Sequence, residues 1–145
     1  MDLTGRTALV TGGSGDIGAA ISMSLAKLGA NVLVHTYQNI KAAKLVVEGI
    51  EKLGKNAKIL QANLMKREEV FRMSEEILSM GSLDILVNNA GTPIKRVPWE
   101  ELDEEFLDQV FALNYRAPLY LTQRLTPGMI KRSHGVIINL SLIHI

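Results

Sequence analysis

The chain has no cysteine among its 145 residues. That excludes disulfides, thiolate metal sites and a cysteine nucleophile. It has no charge imbalance either, with 16 Lys and Arg against 15 Asp and Glu. A nucleic-acid groove or an anionic membrane surface needs a basic excess, so neither is an expected partner. No apolar run approaches the ~20 residues a membrane helix needs. The opening residues, Met1-Asp2-Leu3-Thr4-Gly5-Arg6, lack the basic stretch and apolar core of a secretory signal. The expected location is therefore cytoplasmic. His35, His134 and His144 are scattered, form no ligand spacing and are read as structural, so no metal site is expected.

What is present is a globular composition, 47% apolar and 21% charged, too hydrophobic for intrinsic disorder. The length suits one domain, and residues 1–145 are read as a single unit. Short β-branched or apolar runs at 7–11, 31–35, 57–61, 83–88 and 135–140 read as strands. Between them, three sets recur at helical spacing: Ile17, Ile21, Ser24, Leu25 and Leu28; Ala43, Val46, Val47, Ile50 and Leu53; Val70, Met73, Ile77 and Met80. Each is closed by a glycine, at Gly29, Gly54 and Gly81. Residues 91–101, with Pro93 and Pro98, read as a loop. Phe106, Val110, Leu113, Ala117 and Leu121 then mark a long helix bent at Pro118. Near-continuous apolar strands call for a parallel sheet covered on both faces. The fold class is α/β, a doubly wound parallel Rossmann sheet of about five strands in the order 3-2-1-4-5.

The first strand runs into Thr11-Gly12-Gly13-Ser14-Gly15-Asp16-Ile17-Gly18, where a helix opens. Glycines there let the backbone turn tightly and approach a pyrophosphate. The unpaired N–H groups and dipole of the helix N-terminus then face the anion. Placement after a strand and before a helix makes this a dinucleotide-binding signal rather than a plain turn. Two registers fit. Gly13, Gly15 and Gly18 satisfy G-x-G-x-x-G; Thr11, Gly12, Ile17 and Gly18 fit T-G-x-x-x-G-I-G, with Asp16 at the place of its middle glycine.

The second register resembles the short-chain dehydrogenase/reductase family, and its closest flavour is that of the 3-oxoacyl-carrier-protein reductases. Asn88-Asn89-Ala90-Gly91 is similar to the family's N-N-A-G turn, and Asn114 to its helix asparagine, which supports the catalytic lysine through a water. The resemblance implies cofactor contacts at Gly12, Ser14, Gly15, Asp16, Ile17, Gly18, Thr36, Asn63, Leu64, Asn89, Ala90 and Gly91, and a catalytic role for Asn114. Asn63 replaces the family's aspartate at the adenine amino group, a bond its amide oxygen can also accept.

An NAD-selective site places a carboxylate after the second strand to hold the ribose 2′-hydroxyl. His35-Thr36-Tyr37-Gln38-Asn39 carries none, so NADP is the expected cofactor and NAD the alternative. Lys41 and Lys44 are candidates for the 2′-phosphate, because Gly15 and Tyr37 occupy the positions where NADP-preferring relatives often carry a basic residue.

The family transfers hydride between nicotinamide C4 and a ketone or secondary alcohol, with a tyrosine moving the proton and a serine orienting the substrate oxygen. The implied partner is a small carbonyl or alcohol substrate, and the full-length family member is expected to be a homo-oligomer. The family's Y-x-x-x-K helix follows strand five and lies beyond this sequence; Ser141 matches the first serine of the family's N-x-S-S, and Leu142 stands at the catalytic one. The expectation is a truncated domain, lacking the family's C-terminal strands and inactive by itself. Its fifth strand would then expose an edge at 136–138. The rival readings are a non-catalytic dinucleotide-binding module and another Rossmann-type enzyme such as a methyltransferase.

Overall fold

The computed structural model describes residues 1–91 and 97–140. Five strands, β1 (Thr7–Val10), β2 (Asn31–Thr36), β3 (Ala57–Gln61), β4 (Ile85–Asn88) and β5 (Val136–Asn139), form one sheet in the order β3-β2-β1-β4-β5. Every pairing is parallel. The helices are α1 (Asp16–Lys27), α2 (Ile40–Glu51), α3 (Arg67–Ser79), α4 (Glu104–Phe111) and α5 (Ala117–Lys131).

The sheet is buried on both faces because successive side chains of each strand point opposite ways. Leu9 and Leu86 join Leu60, Val70, Met73, Ile77, Leu121 and Leu125 under α3 and α5. Ala8, Val10, Val32, Val34 and Val87 join Ala26, Ala43, Val46 and Ile50 under α1 and α2. Burying one such Leu or Ile contributes about 1.5–3 kcal/mol. β5 is an edge strand, with Val136 and Ile138 left 49% and 44% exposed.

Two local expectations change. The buried row of α1 is Gly18, Ser22 and Ala26, while Ile17 is exposed and Ile21 and Leu25 only flank the core. The reason is distance: α1 sits so close to the glycine turn that only small side chains fit beneath it. The long helix, secondly, departs from α geometry before Pro118. A π turn at Ala112–Arg116 separates α4 from α5, and the Ala117 amide donates to the Ala112 carbonyl five residues back. Pro118 offers no N–H to the carbonyl four residues earlier and its ring crowds that carbonyl, so the preceding turn widens. Within the expected loop, Trp99–Glu101 form one 3-10 turn.

Candidate functional site

All the expected site residues of 1–91 lie at the carboxyl ends of β1 to β4. The chain winds outward in both directions from β1 and β4, so this is the crevice where open α/β sheets bind ligands. Gly12 adopts φ +62°, and a Cβ there would meet Ala90 Cα and Asn89 Nδ2 at 3.1 Å. Gly18 lies against the Gly12 carbonyl with no room for any side chain. Gly15 is the N-cap of α1, and a Cβ there would meet only the Gly12 oxygen, at an ordinary 3.5 Å. No side chain caps that helix. The amides of Ser14, Asp16, Ile17 and Gly18 have no hydrogen bond among the described residues. They form a row of donors at the positive end of a helix dipole. Asp16 is exposed on the first turn.

The inner side of the same turn is tied to the end of β2. Gly12 N donates to His35 Nδ1 (2.9 Å), Gly13 N to the His35 carbonyl (2.8 Å), and Ser14 Oγ to Thr36 Oγ1 (2.8 Å). His35 Nε2 donates to the Ala62 carbonyl at 3.0 Å. Burial lowers the pKa of this imidazole, against a smaller opposing effect of the Ala62 carbonyl. Thr36 is buried, and Tyr37, Gln38, Asn39, Lys41 and Lys44 beyond it are exposed. Asn39 caps α2 by accepting from Ala42 N.

At the exit of β3, Asn63 is buried, its amide donating to Glu69 Oε2 at 2.6 Å. That bond holds the Glu69 carboxyl below its ordinary range. Asn63 Oδ1 accepts from Met65 N (3.0 Å) in a local turn, so one lone pair of the expected adenine acceptor is already engaged. The Leu64 side chain is buried in the core, which leaves only its backbone for a ligand.

Asn89 and Ala90 close the far wall. Asn89 N (3.0 Å) and Ala90 N (2.9 Å) donate to Thr11 Oγ1, and Asn89 Nδ2 donates to the Thr11 carbonyl (2.8 Å). Beside them a cleft of about 650 Å³ is lined by Asn88, Asn89, Ala90, Gly91, Asn114, Thr122 and Asn139, among others. Asn114 stands on the π turn and donates from Nδ2 to the Val110 carbonyl (2.9 Å). It thus shares a cleft with the N-N-A-G turn, while its described bond is local. Ser141, Leu142 and Pro93 fall outside the described residues.

The donor row at the head of α1 fits the pyrophosphate of a nicotinamide dinucleotide. Sequence reasoning missed two members. His35 joins three segments of the site; its position directly before Thr36, an expected cofactor contact, was the available signal. Asn139, level with Asn88 in the β4–β5 ladder, accepts from Asn88 Nδ2 at 2.8 Å. An asparagine at or beside the end of each of two expected strands was the signal there. Among the described residues no cluster of ligating side chains could hold a metal ion, and no described helix is long and apolar enough to cross a membrane.

Comparison with known proteins places this geometry. The family model described as short chain dehydrogenase matches residues 6–144. The chain is 44% identical over 122 residues to hydroxynaphthalene reductase-like protein Arp2 of Metarhizium robertsii, covering 83% of the chain and 45% of the relative. It is 38% identical over 139 residues to 3-oxoacyl-[acyl-carrier-protein] reductase FabG of Staphylococcus epidermidis, covering 95% and 57%. The chain thus spans about half the length of the curated relatives it matches. A metagenomic short-chain oxidoreductase solved in complex with NADP superimposes with a TM-score of 0.90 at 33% identity, over 96% of this chain and 63% of that one.

Proposed function

Since the chain belongs to the short-chain dehydrogenase family, we propose that it is the dinucleotide-binding part of an oxidoreductase that interconverts a ketone and a secondary alcohol with NADP(H). The observation that carries this reading is the open row of amides at the head of α1, facing a groove whose β2 side bears no carboxylate. The relative solved with NADP supports the choice of cofactor.

When bound, the nicotinamide cofactor supplies or takes the hydride. The chain's own residues bind and orient. The amides of Asp16, Ile17 and Gly18 receive the pyrophosphate, and Gly15 leaves it room. Ser14 and Thr36 border the adenosine ribose. Lys41 and Lys44 balance the 2′-phosphate charge, and NAD is the alternative if they do not reach it. Asn63 and the Leu64 backbone edge the adenine, and Ala90 and Gly91 form the opposite wall. Asn114 is a positioning residue at the cleft where chemistry takes place. The exposed stripe Leu107, Phe111, Tyr115 and Leu119, running along α4, the π turn and α5, supports assembly of the whole protein as a homo-oligomer.

The test is titration of the full-length protein with NADPH and with NADH, followed by the fluorescence of the reduced nicotinamide. Tighter binding of NADPH and turnover of a ketone are expected. Binding without turnover of any ketone or alcohol would favour a non-catalytic module. Failure to bind either dinucleotide would revive another Rossmann-type ligand.

A further inference from the structure

We propose that His35 is a positioning residue: as a neutral imidazole it latches the glycine turn to the exit of β3, and its protonation loosens the dinucleotide groove. The inference rests on the reading of this groove as a dinucleotide site.

The hydrogen bonds fix the tautomer. Gly12 N–H points at Nδ1 (2.9 Å), so Nδ1 carries no proton. A carbonyl oxygen can only accept, so the proton is on Nε2, 3.0 Å from the Ala62 oxygen. One ring thereby joins two walls of the groove, the turn that bears the phosphate-facing amides and the segment leading to Asn63 and Leu64. The latch also reaches the third wall, because Gly12 packs directly on Asn89 and Ala90. A second proton has one place to go, Nδ1, where it would meet the Gly12 N–H donor to donor. The turn must then move or the ring must swing out, and either breaks the alignment of Gly12 with Gly13 and Ser14.

Among the described residues nothing nearby compensates such a charge. His35 is 2% exposed, and no charged group contributes to the lowering of its pKa. Gly12, Gly13 and Thr36 on the turn and β2, and Leu60, Ala62 and Asn63 on the β3 side, are all uncharged. The charged groups on the adjoining elements are turned to other tasks or to solvent. Asp16 heads α1 and is exposed, Lys41 and Lys44 lie exposed on α2, and Glu69 of α3 holds the Asn63 amide.

The experiment compares the full-length wild type with His35→Asn and His35→Gln. NADPH affinity is measured from about pH 8 down to the acid limit at which the protein still folds, because burial lowers the His35 pKa below the ordinary imidazole value of about 6.5. Asn keeps an acceptor at the δ position for Gly12 and has no titrating proton. Gln keeps an ε donor for Ala62 and loses the Gly12 bond. Wild-type affinity is expected to fall with acid more steeply than that of His35→Asn, by up to about tenfold per pH unit of ring titration. The difference removes the ionisation of the cofactor's own 2′-phosphate. His35→Gln is expected to bind weakly at every pH. Equal slopes for wild type and His35→Asn, or wild-type affinity in His35→Gln, would overturn the proposal. A readout free of variants and cofactor is the amide resonance of Gly12, which is expected to shift in step with the His35 ring as pH falls. If wild type binds neither NADPH nor NADH, the dinucleotide reading fails, and this resonance alone decides the latch: a Gly12 amide indifferent to the ring ends it.

Discussion

Asn89 grips Thr11 at two points, its backbone amide on the Thr11 hydroxyl at 3.0 Å and its side-chain amide on the Thr11 carbonyl at 2.8 Å. The two residues end neighbouring parallel strands, β1 and β4. Their contact binds the glycine turn to the N-N-A-G turn across the point where the winding of the sheet reverses.

That contact makes Thr11 a stability determinant. Its hydroxyl is the acceptor for Ala90 N and shares Asn89 N with the Val87 carbonyl. Thr11→Val keeps the shape and strands the Ala90 amide, which costs about 1–3 kcal/mol. Thr11→Ser keeps the hydroxyl and is expected to stay near wild type. Urea unfolding of the full-length protein measures both, and equal stability of the two variants would refute the assignment.

The glycines of the turn differ in what they require. Gly18→Ala forces a methyl into the Gly12 carbonyl, so both stability and NADPH binding are expected to fall. Gly15→Ala meets its nearest atom, the Gly12 oxygen, at an ordinary 3.5 Å, and is expected within roughly 1 kcal/mol of wild type in stability. Thermal unfolding paired with NADPH fluorescence separates the cases; a Gly18→Ala protein that folds and binds normally would contradict the packing.

The buried imidazole also predicts acid sensitivity of the fold. Burial lowers the His35 pKa in the folded chain, so the unfolded chain takes the proton more readily. Its contribution to stability is complete above the ordinary imidazole value of about 6.5 and is lost as pH falls from there through the lowered folded value. Unfolding midpoints in urea between about pH 8 and about pH 5 should drop more for wild type than for His35→Asn. Parallel drops would assign the acid sensitivity to other groups.

Phe111 is 57% exposed in the middle of the apolar stripe on α4 and α5. Phe111→Glu places a charge in any interface formed there and is expected to shift the full-length protein to a smaller assembly without unfolding it. Light scattering with circular dichroism checks both. An unchanged mass would free the stripe from this role.

Much of the site was legible because it is local. The turn around Gly12, the uncapped start of α1 and the missing carboxylate after Thr36 each follow from consecutive residues, whereas the strand order followed from the doubly wound class, because β4 returns past β2 to pair with β1. The buried face of α1 was not legible in the same way. Ile17, Ile21 and Leu25 have the apolar spacing, yet Gly18, Ser22 and Ala26 face the sheet, because the separation of helix and turn is a tertiary distance. The displacement of the bend from Pro118 to Ala112–Arg116 is similar: the sequence announces a missing N–H, and the surrounding backbone chooses how to absorb it.

The amino-acid order by itself determined the parallel α/β layer and the anion-binding turn, since hydrophobic period, glycine placement and helix-terminal donors act over a few residues. Only the tertiary structure decided that His35 faces Gly12 on one side and Ala62 on the other, that Thr11 serves Asn89 and Ala90, and that Asn114 shares a cleft with Gly91. Those pairings join residues 23 to 79 positions apart. Hydrogen bonds of that reach exist only once the strands have found their register and the sheet has been covered on both faces.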